Sequence, residues 1–382
     1  MKLAERIGRV EPFYVMEVVR AAQEQEAQWR AAGRSMIHLS VGEPDFTAPP
    51  QVVAAGERAL REGATGYTLA GGLRPLREAI ARHFGVTRAT VWNALQDAEA
   101  LGVRLFSVRG KGYRLPQPVR FIEVERVLAA LGERAPTFAL DIHDCLPSTN
   151  THLMQMVAAG AQHGVCMVAE LQTEGRGRRG RVWQAGLGNS LTFSVLWRFG
   201  CGAGALSGLS LAVGVALMRA LNELGVDGAG LKWPNDVLHQ NRKLAGILIE
   251  LQGDMDGPSA AVIGIGLNLR LPERLQKTID QAATDLDSIA PQPVDSSLGL
   301  GTVLRHLAEV LEQFERQGFD TLRAEWVARH AHEDRPVRLL MPDGREIDGV
   351  ARGIAADGAL LVATANGLQR FAAGEVSLRG AA

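Results

Sequence analysis

A chain of 382 residues is long enough for two or three globular units. Its 46% hydrophobic and 22% charged content excludes a disordered chain. A formal net charge of −1, from 41 Lys+Arg against 42 Asp+Glu, excludes a globally basic nucleic-acid coat but leaves room for a local basic patch.

In chain order, an amphipathic helix is expected over about 12–32, then the turn-rich Val41–Pro50 and a second helix near 51–62. Gly63–Gly72 holds too many glycines for a helix interior. Pro75 suits a first helical turn, so a third helix runs to Phe84. Gly85-Val-Thr87 breaks it, and Thr87 can cap a helix from Arg88 to about Leu101. Val103–Leu115 reads as two short strands around Gly110-Lys-Gly112, followed by a linker at Pro116 and Pro118. Six basic residues against two acidic ones between Gly85 and Arg120 leave a local charge of +4.

From about Thr137 to His332, strands are expected at 165–170, 191–197, 244–251 and 260–265, and helices at 206–224 and 300–317. The order is no clean βαβ alternation, which predicts an α+β sheet with helices packed on it. After Arg335, short strands punctuated by Asp343-Gly344 and Asp357-Gly358 predict a small barrel of hairpins. The apolar stretch Leu206–Met218 falls short of the roughly 20 residues of a membrane span and reads as a buried helix. Charges from Lys2 to Glu11 interrupt any secretory signal. Cys145, Cys166 and Cys201 are too few and scattered for a disulfide framework or thiolate metal site, so a soluble, cytoplasmic protein without membrane contact is expected.

Four stretches carry chemistry. In Gln172–Trp183, four arginines and three glycines crowd into Gly175–Arg181. Glycines let backbone approach a ligand, and guanidiniums offer forked donors to phosphate or carboxylate. A solvated basic loop or an RNA-binding arginine tract would share that composition. No Walker-type phosphate loop occurs. In Leu231-Lys-Trp-Pro-Asn-Asp236 and Arg242–Glu250, Lys232 and Lys243 adjoin apolar sequence and are expected to reach from strand ends into a shared cavity; snorkelling surface lysines are the alternative. Gly264-Ile-Gly-Leu-Asn268 suits a strand carrying one polar ligand contact, and Ser148-Thr-Asn150 suits a helix cap.

In this order and spacing, these stretches and the closing Gly374-Glu-Val-Ser-Leu-Arg379 resemble the bacterial biotin protein ligases over about residues 85–382. The resemblance implies a class II aminoacyl-tRNA-synthetase-like catalytic domain at 119–333 and an SH3-like barrel at 334–382. It implies biotin and ATP, with Mg²⁺ on the phosphates, as the small molecules. The biotin carboxylate would attack the α-phosphate, and a lysine of a biotin carboxyl carrier protein of acetyl-CoA carboxylase would take the acyl group. By the same resemblance, Ser148, Thr149, Asn150, Gln172, Arg176, Gly177, Arg178, Lys243 and Gly246 line the biotin pocket. Gly175, Arg176, Arg179, Trp183, Lys232, Asn235, Asn268 and Arg379 meet the nucleotide. Lys243, Arg178, Lys232 and Asp236 carry the chemistry, with Asp236 taking a proton from the incoming lysine and the Gly175–Gly180 loop closing over the adenylate. No dedicated metal site is expected. Some members place a tryptophan against adenine after the Gly-x-Gly-x-Asn stretch; Leu271–Pro293 here holds no aromatic residue. Members often dimerise through the central sheet when adenylate is bound.

Residues 1–84 depart from that family. Ser40–Phe46, Gly66-Tyr-Thr68 and Leu76–Ile80 resemble the opening of class I pyridoxal-phosphate aminotransferases, without the later part that holds the cofactor lysine, so pyridoxal phosphate is not expected. A gene fusion or assembly join near Gly85 accounts for the mosaic. Repressor-type members of the ligase family begin with a winged helix-turn-helix. Residues 85–118 resemble its second half, with the helix at 75–84 able to supply the missing partner. That reading puts Arg88, Thr90 and Asn93 toward a major groove of operator DNA and Arg109 and Lys111 on phosphate.

Overall fold

The computed structural model describes residues 50–63, 106–108, 112–114, 119, 121–253, 257–341, 343–372 and 377–380, with single positions at 78, 79, 82, 83 and 85. Two compact units divide the chain, Met1–Leu73 and Arg74–Ala382. In the first, α1 (Pro50–Arg61) forms where the second helix was expected; none of its residues is buried, and Glu57 pairs with Arg61 one turn on. The helices expected at 12–32 and 88–101, and Arg88, Thr90, Asn93, Arg109 and Lys111, lie outside the described residues; 78, 79, 82 and 83 are helical.

In the second unit, β1 (Phe106–Val108) and β2 (Gly112–Arg114) pair antiparallel, as the Gly-Lys-Gly turn predicts. α2 (Val124–Leu131) follows. Its entry is fastened by two bonds: Ile122 N–H donates to Glu170 Oε1 (2.5 Å) and Glu123 N–H to Ser297 Oγ (2.9 Å). Burial raises the Glu170 carboxyl above its ordinary pKa, the Ile122 bond opposes this, and Asp144 adds to it.

The central sheet has seven strands: β3 (Ala139–Leu146), β4 (Val165–Gln172), β5 (Ser190–Phe199), β6 (Ala229–Lys232), β7 (Asp236–His239), β8 (Arg242–Gly253) and β9 (Ser259–Asn268). Their spatial order is β3-β4-β5-β9-β8-β7-β6, and β3 and β4 alone run parallel, so the sheet is mixed.

Strand alternation decides which face does what. Leu191, Phe193, Val195 and Trp197 of β5, Ala245 and Ile247 of β8, and Ile263 and Ile265 of β9 point into the main core. There they meet α4 (Leu209–Glu223), which is apolar almost all round and correspondingly buried, and the apolar stripe of α7 (Ser296–Gln317). Asp295 caps α7 by accepting from Ser297 N–H and Leu298 N–H. Intervening residues face α3 (Thr149–Ala158), whose Leu153 and Val157 pack on Leu196 and Val262. The short helices α5 (Glu273–Gln276) and α6 (Leu286–Ile289) precede α7, and α8 (Asp320–Val327) follows it. Among the described residues no helix is long and apolar enough to cross a membrane.

A separate antiparallel sheet closes the chain: β10 (Pro336–Leu340), β11 (Glu346–Ile354), β12 (Leu360–Thr364), β13 (Gly367–Phe371) and β14 (Ser377–Gly380), in the order β13-β12-β11-β10-β14. The two Asp-Gly pairs turn its hairpins, as expected. The second turn also docks this sheet on the residues that flank α4 and β6. The buried Trp233 indole donates to Gly358 O (3.1 Å), and Ser207 Oγ donates to Asp357 O (2.5 Å).

Gly358 has φ +84°, and a Cβ there would lie 2.8 Å from Gly208 Cα. Gly358→Ala therefore adds overpacking to left-handed strain and is expected to lower unfolding free energy by about 2–4 kcal/mol. Gly344→Ala, at φ +82° in open space, incurs only the backbone term, about 1–2 kcal/mol. Urea unfolding of the two variants checks the difference.

Candidate functional site

The α3 face of the sheet opens into a cavity of about 900 Å³. It gathers Ser148, Thr149, Asn150, Gln172, Arg176, Gly177, Arg178, Arg179, Trp183, Lys232, Asn235, Asp236, Lys243, Gly246 and Asn268 from six stretches of chain, 148–150, 172, 176–183, 232–236, 243–246 and 268. Of the expected site residues, Gly175 does not line it, and Arg379 lies on β14 opposite Arg338 in register, its side chain outside the described residues.

One end is a buried polar relay. Ser148 Oγ accepts from Thr151 N–H (3.4 Å) and caps α3, which brings Thr149 and Asn150 to the cavity wall. Gln172 Oε1 accepts from Thr149 N–H (2.7 Å) and lies 3.2 Å from its hydroxyl. Ser194 Oγ lies 2.7 Å from Thr149 Oγ1 and 2.6 Å from Asn150 Oδ1. A serine has one proton to give, so both contacts form only if the Thr149 hydroxyl donates to Ser194 and Ser194 donates to Asn150. Asn150 Nδ2 then donates to Glu250 Oε2 (2.9 Å) and Leu248 O (3.3 Å). Asn150 rests directly on Gly264, where a Cβ would fall 2.0 Å from Oδ1. The strand glycines are therefore steric necessities.

The arginine-rich loop is a hairpin by its own bonds. Trp183 N–H donates to Gly175 O (2.8 Å), Arg176 bridges Val182, and Gly177 N–H donates to Arg181 O (2.7 Å). Its tip turns left-handed at Arg179 (φ 57°) and Gly180 (φ 72°). Arg176 pairs with Glu250 (Nη2–Oε1 3.1 Å) and donates to Thr151 Oγ1 (3.1 Å); Arg178 donates to Asn235 Oδ1 (3.1 Å). Burial and the nearby Arg179 push the Arg178 pKa below its ordinary value, against the pull of Asp236. The Trp183 indole lies over Gly266, and its buried Nε1 has no hydrogen-bond partner among the described residues.

Lys232 ends β6, and Lys243, the second residue of β8, meets Asp236 of β7 at 2.7 Å. The two side chains are only 16% and 14% exposed, so water screens this pair little. Lys243 Nζ also stands 5.7 Å from the Trp183 ring centroid. Asn268 Nδ2 donates to Thr284 O (3.0 Å) and Lys243 O (3.4 Å), while Lys243 N–H donates to Ala282 O (2.8 Å). Asn268 thus seats Lys243 and the 282–284 segment. Ser194 and Glu250 were not expected in the site. For Glu250 the available signal is a lone charge in the apolar run 244–251, and for Ser194 the alternation of Ser190, Thr192 and Ser194 with large apolar residues.

Comparison with known proteins finds relatives along most of the chain. The sequence family described as biotin/lipoate A/B protein ligase family matches residues 142–268, biotin protein ligase C terminal domain matches 332–379, and HTH domain matches 77–114. The chain is 35% identical over 304 residues to the bifunctional ligase/repressor BirA of Escherichia coli strain K12, covering 80% of this chain and 92% of that one. Its fold is similar to that of the Aquifex aeolicus biotin protein ligase in complex with biotin and ATP, with a TM-score of 0.55, 29% identity, and 63% and 99% of the two chains covered. Over 84 residues it is 39% identical to aspartate aminotransferase of Bacillus subtilis, covering 22% of this chain and 20% of the enzyme.

Glu250 holds both the hairpin, through Arg176, and the relay, through Asn150. Glu250→Gln is expected to speed tryptic cleavage within 176–181 about fivefold, the equivalent of a half-exposed ion pair worth at most about 1 kcal/mol. The cleavage rate measured beside that of the unaltered chain checks it.

Proposed function

The chain belongs to the bacterial biotin protein ligases, and on that premise we propose how its residues join biotin to ATP and then to a carrier lysine. A biotin carboxylate oxygen attacks the α-phosphorus of ATP; the bond to the β-phosphate breaks and pyrophosphate leaves, giving biotinoyl-AMP. The lysine amine of a biotin carboxyl carrier protein of acetyl-CoA carboxylase then attacks the acyl carbon. AMP leaves, and a proton passes to a nearby base.

Carboxylate and triphosphate repel each other, so cations must hold them at bonding distance in a site that excludes water. The observation that carries the reading is the convergence of Arg178, Lys232 and Lys243 on one cavity whose far end is the uncharged Thr149–Ser194–Asn150 relay. A ureido ring needs matched donors and acceptors, which Thr149, Asn150 and Gln172 supply. Ser148 and Gly246 complete that wall. Lys243 and Arg178 meet the reacting carboxylate and α-phosphate. Lys243 shares its charge with Asp236 until the anions arrive; Asp236, so released, accepts the proton of the incoming lysine. Gly175, Arg176, Gly177 and Arg179 form the cover, the unpaired Trp183 N–H is a donor for the bound molecule, and Lys232, Asn235, Asn268 and Arg379 belong to the nucleotide side. Mg²⁺ enters with the triphosphate; among the described residues no group of three His, Cys, Asp or Glu side chains could hold a metal ion.

The finer architecture belongs to the same proposal: a class II synthetase-like domain at 119–333, an SH3-like barrel at 334–382, an aminotransferase-like segment at 1–84, and cytoplasmic residence. A homodimer linked to adenylate would use the central sheet, where β3 has no strand beyond it among the described residues.

Incubation with biotin, ATP, Mg²⁺ and a carrier domain should label the carrier lysine; no label at saturating substrates overturns the reading. Lys243→Ala is expected to slow pyrophosphate release about 10²–10³-fold, as removal of one preorganised donor does elsewhere. Single-turnover release measured with labelled ATP checks it.

A second reading, repression of biotin synthesis genes in response to biotinoyl-AMP, is favoured by the helix-turn-helix match at 77–114 and the hairpin of β1 and β2 within it. Arg88, Thr90, Asn93, Arg109 and Lys111 would make the DNA contacts. A gel shift with biotin-operon operator DNA should appear with biotin and ATP and weaken without them.

A further inference from the structure

The segment joining α8 to β10 runs beside β6. Leu231 N–H donates to Arg329 O (2.7 Å) and Ala331 N–H to Leu231 O (2.8 Å), so this junction extends the sheet at its β6 edge. The same register brings His332 and Arg335 to the cavity that Lys232 enters. His332 is 7% exposed, and its ring nitrogens hydrogen-bond to no described group. Its ring stands edge-on to His330 at 6.2 Å, and His330 is in turn held by Glu333 at 2.8 Å. Arg335 pairs with no carboxylate among the described residues.

Two other cations of the cavity lean on carboxylates, Lys243 on Asp236 and Arg176 on Glu250. The groups that bear on His332 are all basic, namely His330, Lys232 and Arg335. A buried imidazole with unused nitrogens, set among cations, is arranged for an oxyanion.

We propose that His332 and Arg335, with Lys232, form a subsite for polyphosphate oxygens, and that His332 takes up a proton as the anion binds. Resting on the ligase reading, the subsite receives the terminal phosphates of ATP and then the departing pyrophosphate. It places the joint with the carboxy-terminal sheet in contact with the leaving group.

Burial and the surrounding positive charge push the His332 pKa down to about 4, so the ring is neutral at pH 7. An arriving anion favours the imidazolium and raises that value. Binding therefore strengthens as pH falls through the raised value, about tenfold for each pKa unit gained. The gain levels off below the original value, where the ring is protonated before the anion binds.

Calorimetry of the full chain with inorganic pyrophosphate, and separately with ATP, in two buffers of different ionisation enthalpy reads proton uptake directly. Because the phosphates titrate themselves, the measured quantity is the difference between the unaltered chain and His332→Asn. The expected results at pH 6 are a lower proton uptake and about tenfold weaker pyrophosphate binding in His332→Asn. The gap should narrow at pH 8, and biotin affinity should not change. Arg335→Gln should weaken pyrophosphate at both pH values without altering the uptake attributable to His332. His332→Gln, with a melting temperature measured alongside, repeats the test should the asparagine variant fold poorly. Equal proton uptake in the histidine variants and the unaltered chain overturns the proposal, as does a matching loss of biotin affinity. A chain that biotinylates its carrier yet shows no His332-dependent uptake loses this subsite alone. A chain that shows the uptake without ligation keeps the subsite and loses the ligase reading.

Discussion

Two anions must be brought to bonding distance, and the molecule is organised around the repulsion between them. A dense cluster of cations would solve that problem but would itself strain a folded protein. The structure balances part of the cluster from within: the Lys243 ammonium leans on Asp236, and the Arg176 guanidinium on Glu250. These pairs differ in environment. The first is nearly dry, so its attraction is large and so is the desolvation it must offset. The second is half open to solvent and correspondingly weaker. Lys243 is thus held in place while the hairpin bearing Arg176 is only lightly latched, which suits the cover proposed for it.

The mixed sheet makes this arrangement possible by separating tasks between its faces. Odd-numbered positions of β5 and β9 feed an apolar core beneath α4 and α7, and even-numbered ones face the other way, Leu196 and Val262 beneath α3 and Gly264, Gly266 and Asn268 on the cavity floor. A one-residue slip in either strand would exchange floor and core completely, so the register of the long β5–β9 pair is itself a functional constraint. The glycines at 264 and 266 are where the floor must be thin, because Asn150 and Trp183 occupy the space a side chain would need.

Much of this was readable in the residues, and the exceptions have physical causes. The long buried strands and α4 announce themselves through apolar runs, and the hairpin turns of the carboxy-terminal sheet through Asp-Gly pairs. β3 did not: Ala139–Leu146 lies at the sheet edge with most positions half exposed, so it has neither an apolar run nor a clean alternation. β6 and β7 are four residues each, too short for a period to show. In the site, the glycine- and arginine-rich loop and both lysines stood out because such residues are costly in a core. Ser194 and Glu250 were hidden inside strands that read as hydrophobic, and His332 at a boundary between domains. Their importance comes from what faces them across the sheet, which local sequence does not encode.

The indole of Trp233 offers its one polar hydrogen to Gly358 in the carboxy-terminal sheet, two residues before the Asn235-Asp236 pair that enters the cavity. Anyone trimming this chain to a minimal labelling reagent would leave that hydrogen without an acceptor and loosen the turn on which the pair is mounted. The last fifty or so residues therefore cannot be regarded as a detachable accessory: they carry the brace behind one wall of the reaction vessel.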